Sequence, residues 1–289
     1  MCGYIGQISQ NEISHEKLLI QNRNIICRGP DEKQHKKGNL SEFNNRSNLN
    51  YSFIFNRLSI VDLTANASQP MFSDQFNTSI MFNGEIYNHK MLRESLENEN
   101  IQFKSKNSDT EVLLNGLSKY GLNFLEDVTG QFAITFLDYS NNKLFLIRDR
   151  LGQKPLFYSF KNNNLLFSSN LKSIANMHKD ISIDENSVDE YISYGYISSP
   201  NTIFKDIYKV KPAEIIEIDL DHQMKIKSKN TYWEIKDYIN ESKFQKDIFY
   251  EKFKNAVSLR KDADVEVASL LSGGIDSTSV VKTLNENST

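Results

Sequence analysis

The chain opens Met1-Cys2-Gly3-Tyr4-Ile5-Gly6, which places a cysteine directly behind the initiator methionine. Loss of Met1 gives residue 2 both a thiol nucleophile and a free α-amine. Unperturbed, a thiol titrates near about 8.5 and an α-amine near about 7.7–8.0. The amine can therefore take the thiol proton at neutral pH, directly or through one water, without a separate histidine. Cys2 serves equally as a small core side chain, so the residue alone does not decide. A second candidate lies near the other end, in Ser272-Gly273-Gly274-Ile275-Asp276-Ser277-Thr278. An apolar strand, a double glycine and a helix start form an anion site, because the free N–H groups and the helix dipole favour negative charge. Ser272, Ser277 and Thr278 add hydroxyl donors. The lysine of a Walker loop and its spacing are missing. Asp276 would repel phosphate directly but could hold the Mg²⁺ that accompanies it. A glycine turn with a serine cap fits the same residues.

Three further positions carry chemistry. Arg57 ends a strand-like run and can grip a carboxylate through two parallel hydrogen bonds, although a lone arginine is ordinarily a surface residue. Asn83-Gly84 follows an apolar run and offers a side-chain amide and a backbone N–H for an oxyanion; from the residues alone a hairpin turn is the better reading. Asp109 stands near a helix start, where a carboxylate complements the dipole. Arg148-Asp149-Arg150 reads as an exposed charge cluster at a strand end.

The elements that must position these residues follow from periodicity. Tyr4–Ser9, Tyr51–Asn56, Ser79–Phe82, Gln131–Asp138, Lys143–Asp149, Pro155–Phe160 and Leu165–Ser169 read as strands, joined by turns such as Asn141-Asn142 and Asn162-Asn163-Asn164. Met91–Asn98 and Asp109–Tyr120 read as helices, the second with Ser108 as N-cap and Glu111 completing a capping box. Val188–Tyr194 is a short helical segment and Ile248–Leu259 a longer one. Val265–Leu271 reads as a buried strand and Val280–Leu284 as helix. Antiparallel sheets with helices on their outer faces fit this order.

Composition sets the limits. The 289 residues are 39% hydrophobic and 25% charged, enough for one large domain or two ordinary ones. A net charge of -3 gives no electrostatic case for nucleic acid or an anionic membrane. No apolar run reaches spanning length and no secretory signal opens the chain. Two cysteines, Cys2 and Cys27, in so long a chain point to a reduced, cytoplasmic protein; neither has metal-ligand spacing with the five histidines.

Ser272-Gly273-Gly274-Ile275-Asp276-Ser277 resembles the pyrophosphate loop of ATP pyrophosphatases that adenylate a carboxylate or carbonyl oxygen. With Met1-Cys2-Gly3 at the start, the chain resembles glutamine-dependent asparagine synthetase, a class II glutamine amidotransferase. The same resemblance rests on Arg28-Gly29-Pro30-Asp31, Asn56-Arg57-Leu58-Ser59-Ile60-Val61-Asp62, Gln69-Pro70-Met71, Asn83-Gly84-Glu85-Ile86-Tyr87-Asn88, Ser108-Asp109-Thr110-Glu111, and Arg148-Asp149-Arg150-Leu151-Gly152-Gln153-Lys154-Pro155-Leu156. These occur in family order and cover nearly the whole chain.

The resemblance implies an α+β fold, a four-layer αββα sandwich of the N-terminal-nucleophile type, over residues 2–210. A connecting segment over 211–244 and the start of an α/β Rossmann-like ATP-pyrophosphatase domain over 245–289 would follow. It makes Cys2 the nucleophile, Asn83 and Gly84 the oxyanion donors, Arg57 the α-carboxylate ligand, and Asp109, with Glu85 and Gly84, the α-ammonium ligand. Leu58, Ser59, Ile60 and Val61 would line the substrate. Leu270, Ser272, Gly273, Gly274, Asp276 and Ser277 would hold ATP as pyrophosphate with Mg²⁺, while the glutaminase step needs no cofactor. L-Glutamine, L-aspartate and ATP are the implied substrates, and relatives often dimerise. Arg148–Arg150 becomes a structural loop.

Two departures stand out. Cys27 occupies a position where the family usually has histidine, at the rim of the pocket. The family's synthetase domain continues for hundreds of residues beyond the loop, and roughly forty residues cannot bury a self-sufficient α/β core. The stop within a helical pattern is expected of a fragment. The rival readings are an amidotransferase aminating another acceptor, such as a sugar-pathway or β-lactam-type substrate, and a non-catalytic glutamine- or nucleotide-binding module.

Overall fold

Aromatic and β-branched runs form two six-stranded antiparallel sheets in a computed structural model that describes residues 2–221, 223–239 and 243–286. In chain order the first elements are β1 (Gly3–Ser9), α1 (His15–Gln21), β2 (Glu32–Asn39), β3 (Asn50–Arg57), β4 (Met71–Ser73) and β5 (Thr78–Ile86). Next come α2 (His89–Asn98), α3 (Asp109–Tyr120), β6 (Gly130–Asp138), β7 (Lys143–Arg148), β8 (Phe157–Lys161) and β9 (Asn164–Ser168). The remainder is α4 (Leu171–Ala175), α5 (Glu185–Tyr194), β10 (Tyr208–Lys209), β11 (Glu214–Asp219), β12 (Lys225–Thr231), α6 (Lys246–Leu259) and α7 (Ile275–Glu286). The first sheet has the order β10-β8-β9-β1-β3-β2 and the second β12-β11-β7-β6-β5-β4.

Alternation along the strands gives each sheet two apolar faces. Tyr4, Phe53, Phe55 and Phe167 of the first sheet meet Met81, Leu137, Leu146 and Ile216 of the second in a shared core. On the far side of the second sheet, Ile80, Phe82, Ile134 and Ile147 pack against Leu92 and Leu96 of α2 and Val112, Leu113 and Leu117 of α3. Beyond the first sheet, Ile5 and Ile54 meet Leu18 of α1, and Leu166 meets Ile174 of α4. The layers therefore run helix, sheet, sheet, helix. Each buried Leu, Ile or Phe is worth about 1.5–3 kcal/mol of transfer free energy, so these inward faces fix the register.

Several local expectations hold for stated reasons. Asn162 and Asn163, at φ 51° and 53°, turn β8 into β9, and Asn142 turns β6 into β7 at φ 53°. Ser108 caps α3, its Oγ accepting the Glu111 N–H at 3.3 Å. The capping box does not close: Glu111 instead accepts from the Lys104 and Ser105 N–H groups, both at 2.7 Å, and so pins the loop before the helix.

Three expectations are corrected. The segment read as a connection over 211–244 contributes β11 and β12 to the second sheet, with β11 paired to β7 through Ile215↔Ile147 and Ile216↔Leu146. Its buried Ile215, Ile216 and Ile218 are core residues, so those strands belong to the sandwich. Within the same segment, residues 222 and 240–242 lie outside the described residues. Val265–Leu271 forms no strand: it has no regular secondary structure, with Val267 54% and Leu270 95% exposed. An apolar strand of a parallel sheet needs neighbours on both edges, and the described residues supply none. Finally, α7 begins at Ile275 rather than Val280, so Asp276, Ser277 and Thr278 form its first turn.

Strand β2 carried no periodic signal because Glu32, Lys33, His35, Lys36 and Lys37 are polar. It is an edge strand, where lysines discourage further pairing.

Candidate active site

The register of the first sheet brings Cys2 and Arg57, two of the expected site residues, together. Gly3 of β1 pairs with Asn56 of β3, which sets Cys2 beside Arg57 and Leu58. Leu58 N–H donates to Cys2 Sγ at 3.4 Å, and the thiol approaches Leu58 O at 3.7 Å. Arg28 Nε–H donates to Cys2 O at 3.1 Å. Gly29 lies so close to β3 that a Cβ there would sit 2.2 Å from Asn56 O, and Asp31 accepts the Ser59 N–H at 2.7 Å. The motif Arg28–Asp31 thus clamps Cys2 and the segment opposite it.

A cleft opens at this point, enclosing about 580 Å³ with its mouth included. Cys2, Arg57, Leu58, Ile60, Val61, Asn83, Gly84, Glu85 and Asp109 line it, along with Ala67, Gln69, Thr110 and Lys154. The residues expected to read glutamine therefore line one cleft, with Ser59 the single member outside the lining. Met1, whose removal would free the Cys2 amine, lies outside the described residues.

Asn83-Gly84 makes no hairpin. Strand β5 runs straight through, with Asn83 opposite Ala133 and Gly84 opposite Phe132. The Asn83 side chain is fully buried, and neither Nδ2 nor Oδ1 has a partner among the described residues. A buried unpaired amide costs about 1–3 kcal/mol, so an amide held ready at a cleft beside a thiol suits an oxyanion that forms later. Gly84 must lack a side chain, since a Cβ would lie 2.2 Å from Gln131 O.

Arg57 is 5% exposed and no surface residue. Its Nη1 donates to Thr64 O at 2.8 Å and pairs with Glu32 at 3.4 Å, and its Nη2 donates to Asp62 O. Of five N–H donors, those bonds use three, which leaves Nε–H and one Nη2–H without a partner among the described residues and able to donate to a carboxylate.

Two carboxyls also line the cleft. Asp109, at the first position of α3, accepts the Ile86 N–H at 3.1 Å. Burial raises its carboxyl above the ordinary range, against the pull of that hydrogen bond and of His89. Glu85 is also raised, by burial and then by Asp109, with Lys154 opposing. An ammonium bound there would favour the ionised form of both carboxyls. Burial pushes the Cys2 thiol up as well, with Asp109 adding to it and the Leu58 N–H and Arg57 opposing. A nearby base must then take the thiol proton.

Lys154 entered the sequence reading inside a motif but without a role. It is 7% exposed, and burial lowers its ammonium's pKa while Glu85 opposes. Its place is set by Asp149, which is 1% exposed and accepts N–H groups from Phe132, Leu151, Gln153 and Lys154. Arg148 donates to Lys154 O, Val210 O and Gly152 O. In place of an exposed charge cluster, Asp149 is buried and Arg148 and Arg150 are half-buried, with Arg150 donating to Val128 O at 2.6 Å. Cys27 is exposed and does not line the cleft.

The second candidate loop stays apart. Ser272, Gly273, Gly274, Asp276, Ser277 and Leu270 line no part of the cleft. Gly273 adopts φ +83°, Ser277 Oγ donates to Gly274 O at 3.2 Å, and the Ser272 and Ser277 hydroxyls lie 3.0 Å apart. Among the described residues no group of three His, Cys, Asp or Glu could hold a metal, and no helix is long and apolar enough to cross a membrane.

Known proteins agree with this architecture. The family described as "Glutamine amidotransferase domain" matches residues 1–233, and that described as "Asparagine synthase" matches 249–289. A putative glutamine-hydrolyzing asparagine synthetase 2 of Methanocaldococcus jannaschii is 33% identical, covering 99% of this chain and 57% of its own length. Glutamine-hydrolyzing asparagine synthetase 1 of Bacillus subtilis is 32% identical, covering 99% of this chain and 44% of its own length. The chain thus spans about half the length of the curated relatives it matches. Among solved structures, the allosteric regulatory enzyme of purine biosynthesis superposes with a TM-score of 0.55 at 18% identity, over 80% of this chain and 49% of that one, a likeness of fold. With the profile running through both sheets and the cleft between Cys2 and Asp109, this chain belongs to the glutamine amidotransferase domain family.

Proposed function

We propose that the chain hydrolyses the side-chain amide of L-glutamine and that the ammonia serves an ATP-dependent synthesis of asparagine from aspartate. The observation that carries the first half is the buried, unpartnered Asn83 amide on the wall that also holds Cys2. The Cys2 α-amine, freed by removal of Met1, accepts the thiol proton. Sγ then attacks the amide carbon, and the oxyanion rests on Asn83 Nδ2 and the Gly84 N–H. The amine returns its proton to the leaving nitrogen, the C–N bond breaks, and ammonia departs. Water cleaves the γ-glutamyl thioester, releasing glutamate and restoring the thiol. Arg57 holds the α-carboxylate, Asp109 and Glu85 hold the α-ammonium, and Leu58–Val61 cover the aliphatic chain.

For the second half the support is the match over 249–289 and the chemistry of the Ser272 loop. An added Cβ at Gly273 would meet nothing within 4 Å, so the loop has open space above it. Its hydroxyls and the first N–H groups of α7 suit phosphate oxygens, and Asp276 is the loop carboxylate suited to Mg²⁺. Bound MgATP would supply activation of the aspartate carboxylate by adenylation. The same reading places residues 2–233 as the glutaminase unit and 245–289 as the opening of the synthetase, in a cytoplasmic, reduced protein that forms a homodimer.

Mass spectrometry of the wild-type chain quenched during glutamine turnover tests the proposal. A γ-glutamyl adduct on the peptide that begins at Cys2 is expected. Turnover with the adduct on another residue, or with none, would overturn the assignment.

A further inference from the structure

The segment after α6 folds back onto the cleft. Asp264 N–H donates to Ile60 O at 2.9 Å, and Asp264 Oδ2 accepts the Asp62 N–H at 2.8 Å. The two bonds bracket Val61, a lining residue of the cleft. Asn107 Nδ2 donates to the same carboxylate at 3.2 and 3.3 Å, tying it to the loop before α3. Asp62 sits at φ 53°, an unfavourable conformation for a residue with a Cβ, so the loop needs outside support. Its own carboxylate supplies part of that support, accepting from Thr64 N and Oγ1 at 3.0 and 2.6 Å and from Asn107 N at 3.1 Å. Asp264 supplies the rest through a charge-assisted bond.

Two neighbouring contacts anchor the segment. Asp262 pairs with Lys90 at 2.6 Å, and the Arg260 guanidinium lies over the Tyr87 ring at 4.5 Å. Lys90 lies in α2 and Tyr87 in the turn between β5 and α2, two residues after Glu85. The loop that Asp264 holds is also the one whose Asp62 and Thr64 carbonyls orient Arg57.

We propose that Asp264 is a positioning residue for glutamine binding, fixing the Ile60–Asp62 wall and, through it, the Arg57 fork. A residue in the stretch matched to the asparagine synthase family thereby completes the substrate site of the amidotransferase domain. It touches neither substrate nor the reacting atoms, so it acts on binding and not on the chemical step. The proposal rests on the glutaminase reading of the cleft.

The test compares the 289-residue wild type with Asp264→Ala and Asp264→Asn. Asp264 lies outside all the apolar cores, so both variants keep the fold. Asp264→Ala is expected to raise the KM for glutamine about fivefold with kcat within about twofold of wild type. Asp264→Asn retains an acceptor for the Asp62 N–H and should recover most of the KM. Hydrogen exchange over residues 58–64 should quicken in Asp264→Ala without any substrate present. An active wild type with KM unchanged in Asp264→Ala, or a loss confined to kcat, overturns the proposal. A wild type that fails to hydrolyse glutamine defeats the reading of the cleft instead. The exchange measurement still decides the clasp in that case: unchanged exchange in Asp264→Ala refutes it.

Discussion

Leu58 N–H points at Cys2 Sγ from 3.4 Å across a sequence separation of 56 residues. Cys2, the proposed nucleophile, is therefore positioned by the backbone that follows Arg57, the residue proposed to hold the substrate's α-carboxylate. Strand pairing between β1 and β3 creates this relationship, and a slip of one residue would turn Cys2 to the other face. Thiol placement and substrate reading are one structural feature.

Asn83→Ala removes a buried amide that has no partner among the described residues, so stability should not fall. Catalysis should, because an oxyanion donor is worth about 10²–10³ in kcat. Melting curves and glutamate release on the same preparation would check both. A drop in Tm with kcat retained would make Asn83 a structural residue.

Arg57→Lys keeps the charge but loses the planar fork. Lysine cannot satisfy Asp62 O, Thr64 O and Glu32 while also presenting two parallel donors. Urea unfolding should show a loss of about 1–3 kcal/mol, and the KM for glutamine should rise more than about tenfold.

Asp109 ties function to a cost. Its carboxyl is raised above the unfolded value by burial, so ionisation penalises the folded state. Stability without substrate is then highest below the unfolded pKa and declines as pH rises through the raised folded one. Asp109→Asn lacks that decline and should melt higher at neutral pH. Its kcat/KM should collapse, since a neutral amide cannot pair with an α-ammonium. In the wild type, kcat/KM should fall on the acid side at a pH above the usual carboxylate range of about 3.9–4.3. A pH–rate profile alongside thermal melts at several pH values would reveal either trend.

Gly84→Ala should be disruptive for a steric reason. The new Cβ would lie 2.2 Å from Gln131 O, across the β5–β6 pairing. Overpacking of that kind costs about 1–3 kcal/mol, and a lowered Tm together with lost turnover is expected.

Legibility in the sequence tracked how local each signal was. Strands with alternating aromatic and β-branched residues, and α3 with its Ser108 cap, were readable because the period and the cap are written within one element. Polar β2 was invisible because its pairing comes entirely from β3. Asn83-Gly84 misled, since the dipeptide that favours a turn here continues a strand held by β6 on its long-range side. Lys154 gave no separable sign, as its place depends on Asp149 gathering four N–H groups. Val265–Leu271 had the composition of a buried strand, but burial requires neighbours that composition cannot supply.

The central claim is that Cys2, with Met1 removed, is the nucleophile of a glutaminase. Glutamate release from glutamine by the wild type and by Cys2→Ala, with the N-terminal mass of each, tests it most directly. The account predicts turnover by a wild type that begins at Cys2, and none above background in Cys2→Ala. Abundant glutamate release by Cys2→Ala, or active protein that retains Met1, would contradict it.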